Sequence, residues 1–308
     1  MPDRPIEVER LTKYYGKTRG IEDVSLTVEE GDVFGFIGPN GAGKTTTIRC
    51  LLDMIFPSRG SARIFGLDTR RDSKKIKRVV GYLPSEDFYY KSMTARELLG
   101  YSAQLHDLGR PSASRRAEEL AGLLELDLDR KIRELSRGNR RKVSMIKCVL
   151  PDPRLIILDE PTSGLDPLMQ LRVFDLLQKQ RERGSTIFFS SHILSEVQKI
   201  CNRVAIIRDG AILRTANLDT LQKEHLKKVS MTLKSGFSLG SIEVSGVSKL
   251  MREGSSVRFL YSGSAEALLE YLVAKGIHRN LEDFLVERSS LEEIFIDYYE
   301  RGDGEEAK

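Results

Sequence analysis

A glycine-rich segment, residues 38–45, has the residue types and spacing needed to hold phosphate groups. It reads Gly-Pro-Asn-Gly-Ala-Gly-Lys-Thr and fits the pattern G-x-x-x-x-G-K-[ST] in full, which disfavours a purely structural turn. Its glycines let successive backbone N–H groups face one anion, and a following helix start adds partial positive charge. We expect Lys44 to reach the β- and γ-phosphates of a nucleotide and the Thr45 hydroxyl to bind Mg²⁺. The predicted phosphate-binding residues are Gly38, Pro39, Asn40, Gly41, Ala42, Gly43, Lys44, Thr45 and Thr46.

Two adjacent carboxylates, Asp159 and Glu160, follow the apolar run 155–158. The carboxyl end of a buried strand is where ligands bind in open α/β sheets. We expect Asp159 to hold Mg²⁺, directly or through water, and Glu160 to act as general base toward an attacking water. Taken alone, the pair fits a strand end capped by exposed acids equally well. Its occurrence together with the phosphate-binding segment favours nucleotide hydrolysis.

Short apolar runs that alternate with helical segments supply the framework for these residues. The run 33–37, directly before the glycine-rich segment, is uninterrupted, as is typical of a strand buried on both faces. The runs 155–158 and 186–190 have the same character, and residues 94–150 have a helical pattern. The alternation predicts an α/β fold of the P-loop NTPase class, with a mainly parallel sheet flanked by helices.

The pattern changes past residue 218. Strand-like segments at 229–233, 242–247 and 257–261 are separated by Gly/Ser turns, and helical segments follow at 266–275 and 291–299. We expect no catalytic site there, because Asp283, Glu287, Glu292 and Glu293 fit solvated helix charges. The predicted domains are a nucleotide-binding domain at 1–220 with a helical subdomain at about 86–150, a small α+β domain at 221–300 and a disordered tail at 301–308.

Composition excludes several classes of protein. The 308 residues carry 49 Lys+Arg against 45 Asp+Glu, and this small excess of positive charge does not indicate a nucleic-acid partner. Cys50, Cys148 and Cys201 lie far apart in apolar contexts, so we expect buried thiols rather than a zinc site or disulfides. No apolar run approaches the roughly 20 residues that a membrane-spanning helix needs. Any pore would have to come from another chain.

Four further motifs resemble those of ABC (ATP-binding cassette) ATPases. Leu-Ser-Arg-Gly-Asn-Arg at 135–140 looks like a variant of the LSGGQ signature, and Ser-Gly-Leu-Asp at 163–166 resembles the D-loop. His192 resembles the switch histidine, and Tyr15 resembles the aromatic residue that stacks on adenine. Together with the two phosphate motifs, they match an ABC nucleotide-binding domain in order and spacing over roughly residues 5–218.

The resemblance assigns a role to each of these residues. Ser136 and Gly138 would contact the γ-phosphate of ATP held by a second subunit, and Asp166 would make contacts across that interface. His192 would contact the γ-phosphate and orient the water, although a lone histidine is more often structural. Tyr15 would stack on adenine, and packing of an aromatic ring near a strand is the alternative.

Two segments depart from the family pattern. Gly-Tyr-Leu-Pro at 81–84 is followed by Ser85 and Glu86, where the family's Q-loop usually carries glutamine. Serine is too short to replace that side chain, so we assign the contact with metal or water to Glu86. The signature carries Arg137 and Asn139 in place of glycine and glutamine. Its basic cluster, interpreted either as a solvated helix face or as extra attraction for ATP, consists of Arg137, Arg140, Arg141 and Lys142.

The resemblance implies the ATP-hydrolysing subunit of a transporter, with ATP and Mg²⁺ as cofactors. Two copies would close around ATP and drive a separate integral-membrane permease from the cytoplasmic face of the cell membrane. The signature and the segment 290–295 resemble those of exporters of drugs, peptide antibiotics or lipids. Phe88, Tyr89 and Tyr90, with the helix at 93–106, would border a groove for a permease helix or form a local core.

Two other functions are weighed against transport. A soluble ABC ATPase acting on ribosomes or DNA usually carries two cassettes or long coiled coils, and this chain has one phosphate motif and no sustained heptads. A kinase or GTPase would need a base-reading motif such as Asn-Lys-x-Asp, which the sequence lacks. The C-terminal domain is expected to regulate or to stabilise a dimer.

Overall fold

The computed structural model describes residues 4–86, 90–224, 227–234 and 244–287. The chain divides into two compact units, residues 1–216 and 217–308. The strands of the first unit are β1 (Ile6–Tyr15), β2 (Thr18–Val28), β3 (Val33–Ile37), β4 (Arg59–Ile64), β5 (Leu67–Asp68), β6 (Val80–Leu83), β7 (Leu155–Asp159), β8 (Thr186–Ser191), β9 (Arg203–Arg208) and β10 (Ala211–Asn217). Its helices are α1 (Lys44–Leu51), α2 (Ser73–Val79), α3 (Ala95–Leu105), α4 (Arg110–Leu123), α5 (Arg137–Val149), α6 (Pro167–Glu182) and α7 (Leu194–Ile200).

A six-stranded sheet in the order β10-β9-β3-β8-β7-β6 forms the centre of the first unit. The four pairings from β9 through β6 are all parallel, which confirms the predicted mainly parallel sheet. Every residue of β3, β7 and β8 is buried, as the uninterrupted apolar runs predicted. The strands β3 and β7 flank β8, so the segments that follow them meet at one edge of the sheet.

A second sheet, antiparallel and ordered β2-β1-β4-β5, shares its hydrophobic core with the first. Within that core, Phe188 stacks against Phe34 with ring centroids 5.8 Å apart and lies 5.3 Å from Phe36. The continuous core fixes the positions of the strand ends that carry the polar residues. The strands β4, β5, β9 and β10 were not identified in the sequence.

The helical segment predicted over 94–150 consists of three α-helices, α3, α4 and α5, with a 3₁₀-helix at Ile132–Glu134 before the last. Thr94 begins α3 with a capping box, because its hydroxyl accepts from the Glu97 N–H and the Glu97 carboxylate accepts from the Thr94 N–H. Ser136 caps α5 in the same region by accepting from the Asn139 N–H. None of the described helices is both long and apolar enough to cross a bilayer.

The second unit contains an antiparallel sheet in the order β12-β13-β11-β14. Its core includes Val229, Phe259, Leu268 and Leu272. The elements are α8 (Leu218–Glu224), β11 (Lys227–Leu233), β12 (Val247–Glu253), β13 (Ser256–Tyr261), α9 (Ala265–Ala274), a 3₁₀-helix at Ile277–Asn280 and β14 (Leu281–Glu287).

Two predictions for this unit were wrong. Residues 242–243 of the predicted strand 242–247 lie outside the described residues, but its remaining part is wrong: residues 245–246 form a turn, where Gly246 adopts φ +93°, and the strand starts only at Val247. Asp283 and Glu287 lie on strand β14 rather than on a helix, because Phe284 and Val286 pack on the core while β14 pairs with β11. Four predictions lie outside the described residues: the helix at 291–299, the acids Glu292 and Glu293, the tail at 301–308 and the segment 290–295.

Candidate active site

The glycine-rich segment connects β3 to α1 and encloses the Lys44 side chain, which is 5% exposed. The ammonium group donates to the carbonyls of Gly38 at 2.6 Å and Pro39 at 3.1 Å. Gly43 has φ +107°, and a Cβ there would come within 2.5 Å of Ile21, so only glycine fits. Burial lowers the pKa of Lys44, and the nearby carboxylates of Glu160 and Asp159 oppose that shift.

The Asp159 carboxylate is fully buried and accepts two hydroxyl hydrogen bonds. Thr45 donates to Oδ2 at 2.8 Å, and Ser190 on β8 donates to Oδ1 at 2.7 Å. The structure therefore brings together two of the three residues that the sequence assigned to Mg²⁺, Thr45 and Asp159. Hard oxygen donors of this kind fit Mg²⁺, which is usually held by one or two carboxylates together with substrate phosphates and water. Ser190 was missed because it lies inside an apolar strand.

The Glu160 carboxylate lies between a cation and an imidazole. Its Oε1 is 3.5 Å from Lys44 Nζ and 3.1 Å from His192 Nδ1. Glu160 follows β7 directly, and His192 follows β8, so the parallel pairing of these strands places the two side chains side by side. The side chain of Glu160 is 23% exposed, which leaves it within reach of a water molecule. This arrangement can take a proton from water beside the phosphate-binding loop.

A cavity of about 250 Å³ opens beside the phosphate-binding loop. Tyr15 stands at this cavity with 46% of its surface exposed, and Lys13 Nζ lies 5.3 Å from its ring centroid. A half-exposed ring beside the loop can stack on a base, whereas a core ring could not. The cavity is lined by Tyr15, Arg19, Gly20, Asn40, Gly41, Gly43, Lys44, Thr45, Thr46 and Glu160.

The signature residues form a second group with the D-loop segment. A Cβ on Gly138 would lie 3.1 Å from the Gly164 carbonyl oxygen, and the Arg137 guanidinium donates to the Ser163 hydroxyl at 3.3 Å. Asp166 caps α6 by accepting from the Met169 N–H at 2.9 Å. The phosphate contacts predicted for Ser136 and Gly138, and the interface contact of Asp166, stay predictions.

Glu86 lies in different surroundings from those that its predicted metal role requires. It is exposed and lines a cavity of about 230 Å³ together with Ser85, Arg137 and Arg140. In the described part of the chain it is thus grouped with the signature arginines rather than with Thr45 and Asp159. Its assignment as a metal ligand stays a prediction without support from this geometry.

Neither interpretation of the basic cluster applies to Arg141. It is 2% exposed, so it belongs neither to a solvated face nor to a surface that attracts ATP. Its guanidinium donates to four main-chain carbonyls. Nε contacts Pro161 at 3.1 Å, and Nη2 contacts Asp159 at 2.9 Å and Glu160 at 2.7 Å, while Nη1 contacts Pro84. Three of these carbonyls belong to the segment that carries the two predicted site carboxylates, Asp159 and Glu160.

A buried carboxylate, Glu196 on α7, joins the segments that follow β7 and β8. It is 4% exposed and accepts from the Thr162 hydroxyl at 2.6 Å and from the Ser191 hydroxyl at 2.9 Å. Ser191 directly precedes His192, and Thr162 lies two residues after Glu160. The network therefore holds both catalytic segments, and sequence analysis did not identify it. The expected burial of Cys50, Cys148 and Cys201 is confirmed.

The chain is similar to known nucleotide-binding subunits in sequence and in structure. The family model described as ABC transporter matches residues 21–163. An uncharacterised ABC transporter ATP-binding protein of Synechocystis sp. is 34% identical over 91% of this chain and 78% of that protein. The bacitracin transport ATP-binding protein BcrA of Bacillus licheniformis is 36% identical over 74% of each chain. A solved ATP-binding subunit of an ABC transporter gives a TM-score of 0.67 at 30% identity, covering 71% of this chain and 92% of that one.

Proposed function

Because this chain belongs to the family of ABC transporter ATP-binding proteins, we propose that its ATP hydrolysis powers export through a separate membrane permease. In this proposal two copies of the chain close around ATP and open again after hydrolysis. The observation that carries the proposal is the meeting of Lys44, Glu160 and His192 beside the phosphate-binding loop.

The reaction assigns separate tasks to these side chains. Glu160 accepts the proton of the attacking water, and His192 holds that carboxylate in place from Nδ1. Lys44 supplies a fixed positive charge at the loop, where negative charge develops on the transferred phosphoryl group. Thr45 and Asp159 are the proposed ligands of Mg²⁺, which when bound neutralises charge on the β- and γ-phosphates.

Dimer closure would supply the part of the site that the phosphate-binding loop lacks. The cavity beside the loop is lined from residues 15–20, from 40–46 and by Glu160. Ser136 and Gly138 instead stand at the start of α5, beside the D-loop. A helix N-terminus with a hydroxyl cap presents donors to an anion. Ser136 and Gly138 of the second copy can therefore bind the phosphates of the ATP that the first copy holds.

An exposed apolar patch on the helical subdomain is the proposed docking surface for the permease. Tyr90 and Tyr101 contact each other edge-on with centroids 6.1 Å apart, and Leu105 follows one turn after Tyr101 on α3. All three side chains are exposed, Leu105 by 65%. Exposed apolar groups at this spacing favour a partner surface over a local core. Phe88 and Tyr89, assigned to the same patch from the sequence, lie outside the described residues.

Export is favoured over uptake by the relatives. BcrA is a bacitracin transport ATP-binding protein, and a second relative, LnrL of Bacillus subtilis, is a linearmycin resistance ATP-binding protein that is 32% identical over 68% of each chain. Removal of such compounds protects a cell, so we propose a toxic or amphipathic cargo. The proposed location is the cytoplasmic face of the cell membrane, where the permease would hold the chain.

Affinity purification from mild-detergent extracts of membranes tests the proposal. We expect the tagged chain to co-purify with one membrane protein that has several transmembrane spans. The double variant Tyr90→Ala/Tyr101→Ala should no longer co-purify with that protein. Phe56→Ala is the matched control, because Phe56 is also an exposed aromatic residue but lies outside the helical subdomain. A chain that instead sediments with ribosomes or binds DNA without membranes would contradict transport and favour the soluble ABC ATPase.

A further inference from the structure

Arg141 is the largest side chain among those fully buried in the described structure, and it lies on the helix that the signature begins. A buried guanidinium is costly unless its donors are satisfied. The acceptors here are the carbonyls of three consecutive residues, Asp159, Glu160 and Pro161, together with Pro84 at the end of the neighbouring strand β6. One side chain of α5 thus holds the segment that contains the general base.

Glu160 needs such support because of its backbone conformation. Its φ is +51°, in the left-handed region that non-glycine residues rarely adopt. Its N–H donates to the Ser190 carbonyl at 3.1 Å, and its own carbonyl accepts from Arg141 at 2.7 Å. Both backbone polar groups of Glu160 are therefore fixed, the N–H by β8 and the carbonyl by α5. The direction of the Glu160 side chain toward His192 follows from that fixed backbone.

We propose that Arg141 is a positioning residue for ATP hydrolysis, which fixes the Glu160 backbone from the signature helix and so aims its carboxylate at the attacking water. The inference rests on the proposed function of Glu160 as general base. A planar guanidinium with five donors can hold several carbonyls at once, which a lysine ammonium cannot do in the same fixed geometry.

The same contacts give α5 a second role. Ser136 caps the helix at its start, and Arg137 in its first turn contacts Ser163 of the D-loop. An α-helix transmits a shift along its length because its turns are hydrogen-bonded to each other. In the proposed dimer, Ser136 contacts the nucleotide held by the partner. A shift of α5 on that contact would be passed through Arg141 to Glu160 of the same chain. Hydrolysis in one site would then depend on closure of the other.

The test compares Arg141→Met, which removes every donor, with Arg141→Lys, which keeps a charge and some donors. Lys147→Met is the matched control, because Lys147 is a partly buried basic residue in the last turn of the same helix, and its kcat should stay near the wild-type value. Since small misplacement of a catalytic group costs about 100-fold in rate, we expect Arg141→Met to lower kcat by about 100-fold. KM for ATP should stay within about threefold, and Arg141→Lys should recover part of the loss.

Two further measurements separate positioning from simple damage to the fold. Urea unfolding reports whether each variant is folded under assay conditions, and if Arg141→Met is not, Arg141→Gln replaces it. In a Glu160→Gln background, Arg141→Met should leave ATP-dependent association unchanged, because Arg141 acts through Glu160. A folded Arg141→Met protein with wild-type kcat, a Lys variant no better than Met, or loss of association in that background would overturn the inference. Absence of ATPase activity or association in the parent proteins would instead contradict the proposed function itself.

Discussion

His192 Nδ1 lies 3.1 Å from Glu160 Oε1, and the two residues come from segments 32 positions apart in the chain. The contact exists because β7 and β8 are parallel neighbours that end at the same edge of the sheet. A carboxylate in contact with an imidazole on one side and Lys44 on the other has few orientations open to it. We interpret the pair as one functional unit rather than two independent contributors.

The first prediction follows from the interpretation that Glu160 and His192 form one functional unit. His192→Ala and Glu160→Gln should each lower kcat by about 100-fold or more, and the double variant should be no slower than the slower single variant. The reason is that His192 acts by holding Glu160, so its removal costs little once the base is gone. Steady-state ATPase assays on the three proteins check this. Losses that multiply would show that the two side chains act separately.

Lys44 provides a prediction on binding. Lys44→Ala should lower the affinity for ATP by about 100-fold, because it removes a buried cation at the phosphate-binding loop. Titration with a fluorescent ATP analogue measures the affinity directly. Lys199→Ala, a change of the same type at an exposed lysine of α7, should leave it unchanged. A Lys44→Ala protein that binds the ATP analogue as tightly as the wild type would show that the loop does not bind the nucleotide.

The network around Glu196 predicts an effect on stability. Glu196→Ala should lower the free energy of unfolding by about 3 kcal/mol, because two buried hydroxyls lose a charged acceptor. Glu196→Gln, which keeps one amide oxygen as acceptor, should cost less. Urea denaturation followed by circular dichroism measures both. A Glu196→Ala protein as stable as wild type would show that Thr162 and Ser191 find other acceptors.

The cysteines predict how stability depends on pH. Burial raises the pKa of Cys50 to about 11 and of Cys148 to about 12, and it raises the pKa of Cys201 further. An unfolded thiol ionises near pH 8.5, so the unfolded state alone loses protons above that pH. The resulting stabilisation is present below about pH 8.5 and should be lost as pH rises toward 11.

Thiol labelling at pH 8 checks the same prediction. The three thiols should be unreactive toward a disulfide reagent in the native protein and should all react in denaturant, since the thiolate is the reactive form. A parallel series of urea denaturations from pH 7 to 10 should show falling stability in the wild type. Rapid labelling of the native chain would mean that the cores around these residues open readily.

The sequence was sufficient to predict contacts that follow from sheet topology. Thr45 follows one buried strand of a parallel sheet and Asp159 ends another, and such strands end at a common edge, so their meeting could be expected before the structure. The same reasoning applies to Glu160 and His192. The helix caps at Thr94 and Ser136 also follow from local sequence, because capping depends on residues only three apart.

Other features depend on tertiary packing that no local pattern encodes. Arg141 stands in a run of basic residues, which is typical of a solvated face, and only the docking of α5 against β6 and β7 shows that it is buried. Glu196 looks like an ordinary helix acid, because its partners are hydroxyls from distant strand ends. Strand β14 was missed since its inward residues, Leu281, Phe284 and Val286, break strict alternation.

The central claim, that ATP held by one copy of the chain is covered by the signature helix of a second, is tested most directly by the mass of the ATP-loaded protein. Sedimentation velocity on Glu160→Gln should give a dimer with ATP and Mg²⁺ and a monomer with ADP. The same protein carrying Ser136→Arg should stay monomeric, because the larger side chain would block the proposed contact at the start of α5. A Glu160→Gln protein that binds ATP yet remains monomeric at high concentration, alone and beside its permease, would contradict the account.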